Sequence, residues 1–266
     1  MKKTAAAALG LSGLLLAGCF DIEQTLTLEK DMSGKAGYSM KLDMEPMVGF
    51  MARMKRSMEG KEGDPTPEEI AAAKQEMLAS RKSQTKDMPV DKKEIAKQLP
   101  KGVTLLDSSV KEEGLGMAMS FLFGFDNVSK LKEINLKKPE TETKEAQEMG
   151  PGPGAEGPNP AESPFKGLQV VDEGDTFLVI SPAENPVAEQ SEQASQMELS
   201  PEEKKQVQEM LGNLRVAFKI TTPFQIVEHN AHRKEGNTLV WEYNLDNMEK
   251  MTPEQLAQGV RVRYKK

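Results

Sequence analysis

Apolar and polar residues alternate with a period of two over several stretches of this chain. Ile22, Gln24, Leu26 and Leu28 lie two apart, with Ile22, Leu26 and Leu28 forming an apolar face. Tyr38, Met40, Leu42 and Met44 repeat the alternation beyond Lys30-Asp31-Met32-Ser33-Gly34. Successive strand side chains point to opposite faces, so the pattern predicts a hairpin over 21–44. Met117, Met119, Phe121, Phe123 and Phe125 give the strongest strand signal. They pair with Val103–Val110 in a second hairpin turning at 111–114. A third hairpin is predicted at 167–171 and 176–180. Single strands are predicted at 214–220, 225–228, 238–243 and 260–264, with Gly236-Asn237 as a turn.

The spacing changes to three and four after Pro46, a residue suited to a first helical turn. A helix follows to about Met58. Thr66 and Glu69 have the spacing of a capping box and open a second helix through Ala71, Met77 and Leu78. A third runs from Asp91 to Leu99 and stops at Pro100, and a short one is expected over 127–136. Ser200 and Pro201 open another, to Leu211. The sum is an α+β fold: about ten strands in an antiparallel β-sheet of hairpins, with four or five packed helices. Two segments break the pattern. Residues 139–164 are rich in proline and glycine, and 182–199 form a second polar stretch. Both read as solvated inserts in a single domain at 19–266.

The first eighteen residues are an address. Lys2 and Lys3 precede the apolar run Ala5–Ala17, which is too short to span a bilayer and suits a signal h-region. The run closes in Leu16-Ala17-Gly18-Cys19, which resembles the lipobox of bacterial lipoproteins. The resemblance implies cleavage before Cys19 and acylation of its sulfur. Cys19 is the only cysteine of the 266 residues, which excludes an internal disulfide and any multi-cysteine metal site. Phe20 rather than Asp follows it. In a diderm host the lipoprotein sorting rule then points to the outer membrane.

Charge narrows the partners. The chain has 35 basic and 42 acidic residues, a net −7, which disfavours nucleic acid. Removing the leader takes two lysines and leaves −9. Residues 139–203 hold 15 acids against two lysines, so the remaining body is basic by +4. Its Arg261-Val262-Arg263-Tyr264-Lys265-Lys266 ending is expected to suit an anionic bilayer.

Candidate chemistry is sparse. Met40, Met44, Met47, Met51, Met54 and Met58 are spaced 4, 3, 4, 3, 4, and the last four lie on the first helix. Three readings of this stripe stand: a core face with methionine filling gaps, a face for lipid or another apolar ligand, or Cu(I) binding through thioethers. A stripe some 20 Å long spreads its sulfurs rather than converging them. On the second reading Met47, Phe50, Met51, Met54 and Met58 contact the ligand. His229 and His232, the only histidines, read as a surface turn rather than a metal pair. No G-x-S-x-G elbow, Walker loop or G-x-G-x-x-G turn is present. The expectation is a non-enzyme without cofactor or metal.

Two stretches carry a family likeness. Cys19-Phe20-Asp21-Ile22 runs directly into the first hairpin. Phe218-Lys219-Ile220-Thr221-Thr222-Pro223, Ile226–Ala231 and Gly236-Asn237-Thr238-Leu239-Val240-Trp241 follow later. Together they resemble the LppM-like lipoprotein domain. The resemblance implies an α+β domain similar to helix-grip lipid-binding folds, with phospholipid or glycolipid as ligand. The chain departs from mycobacterial members in lacking a C-terminal membrane helix and in its acidic inserts. The resulting expectation is an envelope protein held by its N-terminal lipid. It binds a lipid ligand or, alternatively, an envelope protein partner.

Overall fold

Strands β1 (Cys19–Leu28) and β2 (Gly34–Asp43) form the predicted hairpin, with Cys19 opposite Asp43 and Leu28 opposite Gly34. The Asp31 carboxylate shapes the turn by accepting from the Ser33 amide at 3.1 Å and hydroxyl at 2.6 Å. Ile22, Leu26 and Leu28 are buried, as their alternation requires. The computed structural model describes residues 19–61, 63–85, 92–134, 164–182, 214–248 and 250–266. The leader, the predicted helix over 201–211, and both inserts except Pro164 and Pro182 lie outside these residues.

Three helices follow: α1 (Met47–Met58), α2 (Pro67–Thr85) and α3 (Lys92–Gln98). The capping box opening α2 is formed: Glu69 N–H donates to Thr66 Oγ1 at 3.3 Å, and Thr66 N–H to Glu69 Oε2 at 2.9 Å. Strand β3 (Val103–Glu113) runs three residues past its predicted end, and β4 (Gly116–Phe125) contains the whole predicted apolar run. Lys111, Glu112 and Glu113 stay in β3, and the turn contracts to Gly114-Leu115. The outer edge of a sheet tolerates such a polar run. Val128–Glu133 is a 3₁₀ turn capped by Asn127, where a short helix was expected.

Beyond the first insert come β5 (Gln169–Asp172) and β6 (Thr176–Ser181). The last third holds β7 (Arg215–Thr221), β8 (Gln225–His229), β9 (Arg233–Glu235) and β10 (Thr238–Asn244). Helices α4 (Leu245–Met248) and α5 (Pro253–Gln258) then lead to β11 (Val260–Lys265). The pattern did not indicate β9, α4 or α5.

Among the described residues, eleven strands make two sheets, ordered β3-β4-β2-β1-β7-β10-β9 and β5-β6-β11-β8. The α+β class is as read from the sequence, with one correction to its wholly antiparallel pairing. β1 pairs with β7 in parallel, Asp21 opposite Arg215 and Thr27 opposite Thr221. β2 occupies one edge of β1, and the other is filled by a strand that enters from the same end. The chain passes from the larger sheet to the smaller after β7 and returns after β8.

One hydrophobic cluster joins both sheets to the helices. Leu26, Phe123, Leu239 and Trp241 enter it from the larger sheet, Phe177, Val262 and Tyr264 from the smaller, and Met47 and Ile95 from the helices. Phe177 lies between Tyr264 and Phe224, with ring centroids at 5.2 and 4.9 Å.

Candidate functional site

The methionine stripe changes character along its length. Met40 is buried on β2, where its sulfur accepts from the Tyr38 hydroxyl at 3.7 Å. Met47 is 1% exposed and Phe50 is buried with Val48 and Ala52, so the start of α1 is core. Met51 and Met54 are half-buried against the cluster, and Met58 is 71% exposed. Periodicity placed these residues on one face; the end of the helix simply outruns the body beneath it. Helix α2 fixes α1 through ion pairs, Arg56 with both Glu69 carboxylate oxygens at 2.9 Å and Lys55 with Glu76 at 2.5 Å, and Asp64 in the segment before α2 pairs with Arg53 at 3.2 Å. The Lys74–Glu45 pair ties α2 to the residues preceding α1.

Cys19 begins β1 itself. The register row through it runs across four strands: Cys19, Asp43, Gly116, Glu113. At the other end of the same strands the row is Leu28, Gly34, Phe125, Val103. Against that second row lies a shallow, open groove of about 560 Å³. Gly34, Lys35, Gly102, Thr104, Leu106 and Gly124 are among its lining residues; the methionines of α1 are not. Its glycines hold close approaches. A Cβ on Gly102 would meet the Asp126 carboxylate at 2.3 Å, at a φ of +92°, and one on Gly124 would meet Thr104 Oγ1 at 3.0 Å. Leu106, 49% exposed, lies where the β3–β4 register shifts. No sequence motif marked this groove, because its lining comes from three separated segments.

The outer face of the larger sheet carries an ionic network centred on Arg215. Its guanidinium reaches Asp21 at 2.7 Å, Glu23 at 3.2 Å and Glu242 at 3.3 Å. Lys219 also pairs with Glu23, at 2.8 Å, and Arg233 with Glu242, at 2.6 Å. Burial raises the Glu23 pKa, but hydrogen bonds from Lys219 and Arg215 outweigh it and hold the carboxyl below its usual range. On the smaller sheet two residues of the basic ending are paired: Arg263 with Glu173 and Glu228, and Lys266 with Asp172.

Both histidines serve the local backbone. His229 Nδ1 accepts from the Ala231 amide at 3.1 Å. His232 donates its own N–H to the Val240 carbonyl at 3.0 Å, and its Nδ1 lies 2.9 Å from both the amide nitrogen and the carbonyl of Glu242. The neutral ring accepts from that amide and extends the β9–β10 ladder by one bond. Burial lowers the His232 pKa, outweighing its Glu242 contacts. Among the described residues no group of three or more His, Cys, Asp or Glu is placed to hold a metal ion, and no helix is long and apolar enough to cross a membrane. Tyr264, fully buried, has a hydroxyl without a hydrogen-bond partner among the described residues, and burial raises its pKa.

No family model and no curated protein matches the chain. Among solved structures it is similar to the NMR structure of the folded domain of Mycobacterium tuberculosis LppM. The TM-score is 0.44 and the sequence identity 8%, with 93% of this chain and 90% of that one covered.

Proposed function

We propose that this is a lipid-anchored, non-catalytic protein of the cell envelope whose domain takes up a lipid or another apolar ligand along the outer half of α1. The observation that carries the anchor is Cys19, the sole cysteine, at the close of an apolar leader in Leu16-Ala17-Gly18-Cys19. Two or three acyl chains suffice for stable attachment. The ligand reading is supported by Met51, Met54 and Met58, which pass from half-buried to exposed on one helix face and are unbranched and adaptable. In a diderm host, Phe20 after the cysteine favours the outer membrane.

Native mass spectrometry of the full chain, extracted from its own host, tests both parts. Acyl mass on Cys19 with a co-purifying lipid supports the reading. Acylated protein free of ligand removes the lipid-binding half, and an unmodified Cys19 removes the anchor.

The groove favours a second reading, an envelope protein partner. Gly34, Lys35, Gly102, Thr104, Leu106 and Gly124 line an open concavity there, and Leu106 is exposed within it. A photo-crosslinker at Lys35 yielding one stoichiometric protein adduct in cells favours this reading over the first.

A further inference from the structure

We infer that the bilayer meets this domain at the Cys19 end of the larger sheet, so that the glycine-lined groove stands about 30 Å away from the membrane surface. The inference rests on the lipid-anchored reading above and adds an orientation to it.

The argument starts from the missing tether. Cys19 is the first residue of β1 and is paired with Asp43, so no free segment separates the acylated atom from the sheet. Such a segment could arise only by peeling β1 from its neighbours. β1 is an interior strand with β2 on one side and β7 on the other, and the β7 ladder begins at Asp21. Arg215 grips Asp21 and Glu23 at that same point. Peeling beyond Phe20 would therefore break two ladders and the ionic clasp together.

With Cys19 held at the lipid surface, its register row is brought down with it. Glu113, three strands across, lies about 14 Å to the side at the ordinary interstrand spacing. The row containing Gly34 and Val103 is nine residues along the strands, about 30 Å at 3.3 Å per residue. The groove therefore faces the aqueous side, beyond direct reach of lipids in the anchoring leaflet. Charge does not draw this end down. Asp43, Glu45 and Glu113 are exposed around it with Lys41 and Lys111 beside them, whereas Arg263 and Lys266 of the basic ending are paired within the smaller sheet.

Acylation blocks the native cysteine, so a single introduced cysteine can be labelled specifically. Glu113→Cys and Lys30→Cys are made in the full acylated chain, labelled with a fluorophore and reconstituted in phosphatidylcholine vesicles containing a headgroup-quencher lipid. Quenching at position 113 at least about threefold that at position 30 is expected from the 30 Å separation. Equal quenching, none at either site, or a reversed order overturns the inference. Lys111→Cys, on the same strand, repeats the near-side measurement should the Glu113 variant fold poorly. Intact mass of the same sample separates the two claims. Protein without acyl groups defeats the anchor reading, whereas acylated protein with equal quenching defeats the orientation alone.

Discussion

The indole Nε1 of Trp241 donates a hydrogen bond to Asn230 Oδ1 at 2.8 Å, joining the larger sheet to the segment that leaves the smaller one. The same oxygen accepts from the Arg261 amide at 2.9 Å, and Asn230 Nδ2 donates to the Gly259 carbonyl at 2.8 Å. One half-buried side chain thus holds β10, β11 and the end of α5 in register with one another.

Asn230→Ala removes all three bonds and leaves the Trp241 indole, on a fully buried residue, without its acceptor. A loss of about 2–4 kcal/mol is expected. Trp241→Phe removes only one bond and some packing and should cost less. Urea denaturation of the single variants and the double variant reads the coupling between the two residues. A coupling near zero would show that Asn230 acts only within the smaller sheet.

His232 predicts an acid limb in stability. Its folded pKa lies below the ordinary 6.5, so the unfolded chain binds the proton more readily. The contribution of the neutral ring is intact above about pH 6.5 and falls as the pH drops from there towards the depressed folded value. His232→Asn keeps an acceptor for the Glu242 amide without titrating in this range. Wild type minus variant, followed by denaturant midpoint, should slope between pH 7 and 5 and be flat above 7.

The methionine stripe divides by depth. Met47→Ala opens a cavity in a closed core and should cost about 2–4 kcal/mol. Met58→Ala, at the exposed end of the same face, should change stability by no more than about 0.5 kcal/mol. If Met58 contacts ligand, its substitution lowers lipid recovery in native mass spectrometry while leaving the denaturation curve unmoved.

Two glycines of β2 separate a backbone constraint from a side-chain one. A Cβ at Gly34 would lie 1.9 Å from the Thr27 carbonyl oxygen, whereas one at Gly37 would meet the Thr25 hydroxyl at 2.4 Å. Thr25 can rotate and the Thr27 backbone cannot. Gly34→Ala should therefore cost about 3 kcal/mol or more and Gly37→Ala under about 1 kcal/mol, read by thermal melting.

What the sequence displayed follows from the range of the interactions involved. The first hairpins and the Thr66–Glu69 cap depend on neighbours a few residues apart, and they were legible from alternation and spacing. The parallel β1–β7 pairing joins Asp21 to Arg215 across 194 residues and leaves no local trace. Strand β9 is three polar residues and has no alternation to detect. The methionine spacing identified a face but not its depth, because burial is set by what lies opposite. The groove was illegible for a related reason: its glycines belong to separate segments that meet only in the sheet. Trp241 fell within the strand predicted at 238–243, but the acceptor that orients it left no local trace.

The central place of β1 has a consequence for the order in which the molecule can be completed. A chain delivered from its N-terminus releases β1 first, yet one edge of that strand stays open until β7 arrives almost 200 residues later. The β1–β2 hairpin must therefore wait with an unsatisfied row of amides and carbonyls along its β7 side. Such an edge is the ordinary starting point for mispairing between chains, and a contact closed across so much sequence forms slowly. The two polar inserts delay that closure further. Late closure of this sheet, rather than any single weak contact, is the step at which crowding would act on the folding of this protein.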